Sequence, residues 1–287
     1  MLKSRAMGAI ETFNFDLHCH STASDGVLSP SDLVHRAAAN GVSVLALTDH
    51  DELAGLAEAA EIARVHGVRF IPGVEVSVTW GDTTIHIVGL GIDSANAALA
   101  TNLEHVRSSR GRRAEKIAAE LSALGIDDSL KGAYAYAENP SVIGRTHFAR
   151  FLVECGIAPD IATVFKHYLV RGKPGFVPQQ WAALADAVAW IRTSGGRAVV
   201  AHPGRYKLSR ADLRRLLTEF KNVGGEGVEV VTGSHSPSQY GEFARLAREF
   251  GLLASRGSDF HGPEESHLDL GQLPPLPGDL TPVWHDW

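Results

Sequence analysis

Short apolar runs recur along this chain, NFDLH, SVLALTDH, VRFIPGVE, TIHIVGLGI, AVVAH, GVEVV and LLASRGSD, and amphipathic stretches separate several of them. Those stretches include PSDLVHRAAAN, ELAGLAEAAEIARVHG, WAALADAVAWIRTSGG, RADLRRLLTEFKN and PSQYGEFARLAREFG. A strand followed by a crossing helix returns parallel to its predecessor, so the alternation predicts an α/β fold with a mainly parallel sheet. Gly41, Gly67, Gly195 and Gly251 stand where such helices would end on a glycine. One barrel accommodates most of the 287 residues, and 44% hydrophobic against 21% charged residues suits a folded globule with a sizeable core.

The alternation stops between about residues 95 and 177, where helical pattern dominates. We read residues 14–95 and 177–263 as a discontinuous barrel, 96–176 as an inserted helical cap and 264–287 as a C-terminal tail, with residues 1–13 as a lead-in. A barrel keeps its chemistry at the C-terminal ends of its strands, so an insertion there covers the site. The longest apolar stretches fall far short of the roughly 20 residues of a membrane span, and no signal-peptide core is present, so a cytoplasmic protein without membrane contact is expected. Cys19 and Cys155 cannot build a disulfide framework, and Cys19 reads as a small filler between histidines. The net charge of −6 argues against binding double-stranded DNA. Phosphate must meet local positive charge, yet the clusters Arg107, Arg110, Arg112, Arg113 and Arg205, Lys207, Arg210 read first as solvated faces.

Nearly every strand-like run ends in a potential metal ligand. The first ends in Asp16-Leu17-His18-Cys19-His20, and residues two apart on a strand share a face. Asp25 follows in SDG, His50 ends TDH, Glu75 ends GVE, His202 lies in AHPG, and Asp259 and His261 close the last run. His86 joins them if EVSVTWGDTTIHIV is a hairpin turning at Gly81-Asp82, for then Trp80 faces Thr83, His86 faces Ser77, and Glu75 becomes a diagonal neighbour of His86. Any one of these residues could be a cap or a hydrogen-bonded structural group. Six histidines and three carboxylates at successive strand ends predict a multinuclear site, because burying them without cations leaves polar groups unsatisfied. Asp16 and Asp49 either orient neighbouring ligands or cap loop amides.

The motifs DLHCHS with SDG, LALTDHD, GVEVS, HIVGLGI, AHPGR and GSDFH, in this order from Phe15 to about Pro263, resemble the polymerase-and-histidinol-phosphatase (PHP) family. The resemblance implies a distorted (β/α)7 barrel with up to three metal ions. It implies that His18, His20, Glu75 and Asp259 hold one ion, that Glu75 bridges to a second held with His86 and His202, and that Asp25, His50 and His261 hold a third. The segments GRTHFARFLV, YLVRGKPGFVP and VVTGSHS further resemble the subgroup acting on nucleoside 3′,5′-bisphosphates and on 5′ ends of short RNA.

Three divalent cations outweigh three carboxylates by a charge that suits a phosphate dianion and hydroxide, and a bridging hydroxide can attack phosphorus in line. Mixed imidazole and carboxylate ligands suit manganese, iron or zinc, with manganese preferred. Arg145, Lys173, Arg205 and His235 are candidate phosphate contacts, and His147, His235 and Arg145 candidate catalytic groups. His35, His66, His105, His167, His267 and His285 are assigned no function. The expected activity is removal of the 3′-phosphate from a nucleoside 3′,5′-bisphosphate, with 5′→3′ exoribonuclease action on short 5′-phosphorylated RNA as the alternative. An amidase or deaminase barrel would rely on a mid-barrel lysine or further histidines where this chain has TDH and GVE. A non-catalytic, metal-stabilised binding module is the remaining reading.

Overall fold

The computed structural model describes residues 13–287, so of the lead-in only the exposed Phe13 falls within it. Strands β1 (Phe15–Asp16), β2 (Val44–Leu47) and β3 (Arg69–Trp80) are joined by helices α1 (Pro30–Ala39) and α2 (Leu56–His66) and pair in parallel. Every residue of β2 is buried, as expected of a strand covered on both faces. Helix α1 starts on Ser29, whose hydroxyl accepts from the Asp32 N–H, with Pro30 in its first turn. It is followed by Gly41 at φ 76°, a left-handed conformation that costs a glycine nothing.

Strand β4 (Thr83–Leu90) returns from β3 through Gly81-Asp82 with Trp80 opposite Thr83 and Ser77 opposite His86, the register read from the sequence. Being a hairpin partner, β4 runs antiparallel to β3 and to β6 (Arg197–Val200), which distorts the barrel. The two-residue β5 (Ala182–Ala183) pairs with the far end of β3. Strands β7 (Gly227–Thr232) and β8 (Leu253–Gly257) continue in parallel. The sheet closes where the Leu17 N–H donates to the Arg256 carbonyl at 3.1 Å and Cys19 bridges Phe260. Cys19 is fully buried with its thiol on the Ala46 carbonyl, a filler as expected.

Leu17, Val44, Ala46, Ile71, Val88, Leu90, Val199 and Ala201 fill the barrel interior. The tail plugs its lower end: Val283 is buried among them, Trp284 stacks on Phe15 at 4.1 Å, and Asp286 pairs with Arg197 at the start of β6. Outside the sheet lie α8 (Leu184–Thr193), α9 (Arg210–Asn222), α10 (Pro237–Phe250) and α3 (Ala97–Arg107), whose Leu99, Leu103 and Val106 belong to the barrel's outer core. Helices α4 (Arg110–Ser122), α5 (Ser129–Ala135), α6 (Arg145–Glu154) and α7 (Ile161–Val164) enclose a second core around Ile117, Phe148 and Leu152. Arg150 of α6 fastens that unit to the barrel, donating to Glu265 and to the Asp25 carbonyl. Among the described residues no helix is long and apolar enough to cross a membrane.

Candidate metal centre

Side chains alternate along a strand, so the face that packs the barrel interior also supplies its mouth. Ile71 lies on the interior face and Glu75 shares it, Val88 and Leu90 share theirs with His86, and Val44 and Ala46 lead to His50. On the first strand the alternation breaks. Phe15 and Leu17 pack inward, yet His18 and His20 both reach the mouth, because regular pairing of β1 ends at Asp16.

Glu75 is the hub. Its Oε1 lies 2.9 Å from His202 Nε2, 3.0 Å from His86 Nδ1 and 3.4 Å from His18 Nε2. Its Oε2 lies 2.8 Å from His50 Nδ1 and 3.5 Å from His20 Nε2. Asp259 Oδ1 approaches His18 Nε2 at 3.6 Å and His20 Nε2 at 3.5 Å, and Asp25 Oδ1 lies 3.5 Å from His261 Nε2. All nine expected ligands thus come together, with donor atoms within 4.8 Å of one another in four overlapping groups. These are His18, Glu75 and His202; His18, His20 and Asp259; His50, Glu75 and His86; and His20, Asp25, His50 and His261.

A divalent cation fits this donor set. His20 Nδ1, Asp25 Oδ1, His50 Nδ1, Glu75 Oε2, His202 Nδ1 and Asp259 Oδ1 are buried without a hydrogen-bond partner among the described residues, an arrangement that is costly unless something else satisfies them. His18 Nε2 and His20 Nε2 face each other at 3.1 Å, as two nitrogens aimed at one point do. Burial opposes ionisation of Glu75, Asp25 and Asp259, yet the imidazoles around each, with Arg205 beside Asp259, hold all three well below the usual carboxylate range. Burial pushes His202 down to about 3 and also lowers His20, His86 and His261. Ionised carboxylate and neutral imidazole are the forms that bind metal. His50, at about 9, and His18, well above the usual histidine value, go the other way because Glu75 and Asp25 at His50, and Glu229 and Glu75 at His18, outweigh burial; a bound cation would compete for those protons.

Residues the sequence reading did not single out hold this arrangement. Glu229, buried in GVEVV on the interior face of β7, accepts from His18 Nδ1 at 2.8 Å and from the His202 N–H at 2.6 Å, leaving His18 Nε2 free for the cluster. Alternation within GVEVV was the signal for it. Asp49 and Asp16 take the loop-capping role. Asp49 accepts from the Ser21 amide and the Ser21 and Ser24 hydroxyls and so braces the loop carrying Asp25, and Asp16 accepts from the Ser258 and Gly271 amides. His202 and Asp259 sit at φ 25° and 55°, strained values for residues with a side chain, as placed ligands at functional sites often are.

Tyr206 is a further brace. The His86 N–H donates to its hydroxyl at 3.0 Å, and that hydroxyl donates to the Ala201 carbonyl at 2.6 Å. The hydroxyl is inserted into the β4–β6 ladder between the residues beside two ligands, His86 and His202. Tyr206→Phe is expected to weaken metal binding about tenfold to a hundredfold, the range for such supporting groups. Chelator competition checks it, and unchanged metal affinity would refute it.

Two expected catalytic groups have other tasks. His235 donates from Nδ1 to the Val230 carbonyl and accepts the Gly204 N–H at Nε2, so both nitrogens are used in holding the loop that carries His202. His147 is fully buried, and its Nδ1 accepts the Gly144 N–H at the start of α6, while its Nε2 has no hydrogen-bond partner among the described residues. Burial takes each of these imidazoles down to about 4. His235 thus has no ring nitrogen left for the mouth, whereas His147 keeps Nε2 unengaged.

The basic cluster of α4 is not a solvated face. Arg110 and Arg113, three residues apart, turn inward over the Trp181 ring at 4.8 and 5.4 Å, while Arg112 stays exposed. With Arg145 and Arg205 they line a cavity of about 90 Å³ that opens on Asp25, His50, His86 and His261. Arg110 is paired with Asp51. Arg113 donates to the Val177 carbonyl, and Arg145 donates to the Leu169 carbonyl and stacks on Phe165, so neither contacts a carboxylate among the described residues. Burial and mutual repulsion lower Arg113 to about 9, and burial with repulsion from Arg205 and Arg110 lowers Arg145 to about 10. Arg205, half exposed, donates to Asp259 at 2.9 Å. Lys173, Lys207 and Lys166 line a separate open groove.

A closed α/β barrel that gathers nine imidazoles and carboxylates at one mouth belongs to the class that binds divalent metals there. The chain belongs to the PHP domain family, whose model matches residues 16–191. It is 51% identical over 95% of its length to the 3′,5′-nucleoside bisphosphate phosphatase of Chromobacterium violaceum, covering 96% of that protein. It is 46% identical over 95% of its length to the 5′-3′ exoribonuclease Rnm of Escherichia coli, covering 93% of it. A solved structure of an amidohydrolase from Chromobacterium violaceum, with bound sulfate and no metal, superposes with a TM-score of 0.93 at 51% identity over 95% of both chains.

Proposed function

We propose that this protein is a metal-dependent phosphoesterase that removes the 3′-phosphate from nucleoside 3′,5′-bisphosphates, leaving a nucleoside 5′-monophosphate. The observation that carries this reading is the cavity beside the metal cluster. Arg113 and Arg145 are desolvated there without carboxylate partners among the described residues and repel their neighbours, an arrangement that an anion relieves. A substrate with a second, non-reacting phosphate supplies that anion. The name of one relative, the 3′,5′-nucleoside bisphosphate phosphatase, points to the same substrate.

His18, His20, Glu75 and Asp259 would hold one ion, His86 and His202 with Glu75 a second, and Asp25, His50 and His261 a third. Two to three ions, manganese preferred, suit these donors. When bound, divalent ions acidify water and neutralise charge on phosphoryl oxygens. The chain's own contribution is orientation. The arginine cavity grips the 5′-phosphate, Arg205 lies between cavity and cluster within reach of the reacting phosphate, and helices α4 to α7 act as a cap limiting water access.

The test is phosphate release by manganese-loaded protein from a nucleoside 3′,5′-bisphosphate and from the matching 3′-monophosphate. The bisphosphate is expected to lead in kcat/KM by at least about tenfold, the gain from one charge-assisted phosphate contact. Equal values would reject the second-phosphate reading.

A further inference from the structure

We propose that His35 and His66 form a second metal site, on the outside of the barrel, that takes one divalent transition ion of the nickel or copper class. Both belong to the histidines assigned no function from the sequence, and the site stands independently of the function proposed above. His35 lies in the middle of α1 and His66 is the last residue of α2, yet His35 Nδ1 and His66 Nε2 stand 2.7 Å apart. Each helix runs from the mouth back toward the lower end of the barrel, so a pair formed at the end of α2 is separate from Glu75 and its histidines.

The separation selects the ion. Imidazole nitrogens bind such ions at about 2.1 Å, so adjacent positions of a square-planar or octahedral ion hold two of them about 3.0 Å apart, and tetrahedral positions about 3.4 Å. The observed 2.7 Å is nearer the first, which favours Ni2+ or Cu2+ over Zn2+. The ring planes are nearly perpendicular, at 89°, and their centres are 4.7 Å apart, less than the nitrogen separation plus two ring radii, so the rings do not meet head-on. Both side chains are exposed and can turn their lone pairs onto one point. Without an ion, one ring donates its N–H to the other. On binding, that hydrogen moves to the far nitrogen of its own ring, and His35 Nδ1 and His66 Nε2 become the two ligands.

The helices supply a preset frame. Ser31, one turn before His35, donates from its amide to Glu58 of α2 at 3.0 Å, and its hydroxyl donates to the same carboxylate. Leu33, Val34, Ala59 and Ala63 bury the inner faces of both helices in the barrel's outer core. The two nitrogens are therefore held together before an ion arrives, and the second contact forms as an intramolecular event. Arg64, two residues before His66, has its charge offset by Glu61, and Asp32 adds a negative charge one turn before His35. No third His, Cys, Asp or Glu among the described residues joins the pair, so the ion's other positions fall to water. An ion here would clasp α1 to α2, the helices that follow the loops carrying Asp25 and His50.

The experiment adds Ni2+ to untagged, manganese-loaded wild type, His35→Ala, His66→Ala and His105→Ala, the last replacing an exposed histidine outside the pair. Bound nickel is measured by equilibrium dialysis. Wild type and His105→Ala are expected to bind one ion at least about tenfold more tightly than either pair variant, because a two-point contact becomes a single one. Nickel should also raise the melting temperature of wild type by more than that of either pair variant. Nickel that enters the metal centre does so alike in all four proteins and cancels in the comparison. Equal nickel binding in all four, or a loss in only one of the two pair variants, overturns the site.

Discussion

Glu75→Gln is expected to lower turnover by about a thousandfold or more and to reduce the bound metal, while leaving the barrel folded. The substitution keeps side-chain volume in a fully buried position, so packing is preserved. It removes the one negative charge that lies within 3.5 Å of five imidazoles, those of His18, His20, His50, His86 and His202. An amide also turns two hydrogens toward nitrogens that must stay free to coordinate. A metal supplies several kcal/mol of charge stabilisation, and about 4 kcal/mol corresponds to about a thousandfold. Elemental analysis and kcat are the direct readouts. Thermal unfolding adds a third, since an ion that binds only the folded protein raises the melting temperature, and that rise should shrink in the variant. Full metal content with activity within tenfold of wild type would remove Glu75 from the centre of the cluster.

What could be read from the chain was what depends on local geometry. The two-residue turn at Gly81-Asp82 fixes the pairing of Ser77 with His86, and that pairing carries His86 from an apparently misplaced position to the same carboxylate as His202. Period-two alternation likewise placed Glu75 and His86, whereas His18, His20, His202, Asp259 and His261 lie just past their strands and were legible from their position at the strand ends. What escaped depends on contacts distant in sequence. Arg110 and Arg113 looked solvated because the ring that covers them, Trp181, is supplied by another segment. His235 looked reactive because residue type is visible in a sequence, whereas the carbonyl and amide occupying its two nitrogens are not. Glu229 was hidden by the opposite bias: a single acid within a strongly apolar run reads as part of a strand until its two bonds to His18 and His202 are seen.

Those misread residues divide the labour at the mouth of the barrel. Carboxylates and imidazoles that share a strand face build the cluster, and their partners Glu229, Tyr206 and His235 hold the strand ends in position. On the function proposed above, substrate choice falls to Arg113 and Arg145 of the inserted helices, which bond none of the expected ligands, whereas Arg205 is tied to the cluster through Asp259.

Arg145→Ala is therefore expected to leave metal content unchanged and to cut kcat/KM about tenfold to a hundredfold, only for substrates with a 5′-phosphate. A charge-assisted hydrogen bond contributes about 1.5–3 kcal/mol, which gives that range. The competing role is structural, since Arg145 donates to the Leu169 carbonyl and stacks on Phe165. Stability separates the two. Among the described residues Arg145 bonds no carboxylate, and repulsion from Arg205 and Arg110 outweighs the pull of Asp25, so without an anion its removal relieves repulsion and should not lower the melting temperature. A residue holding the helices together would lower it and would impair every substrate alike. Arg145→Lys refines the test: it keeps the charge but loses the two-pronged donor geometry, and should recover only part of the lost kcat/KM. The comparison is made on a nucleoside 3′,5′-bisphosphate and the matching 3′-monophosphate at equal metal occupancy. An Arg145→Ala enzyme that loses the same factor on both, with a lowered melting temperature, would assign Arg145 to the fold and leave Arg113 to hold the phosphate.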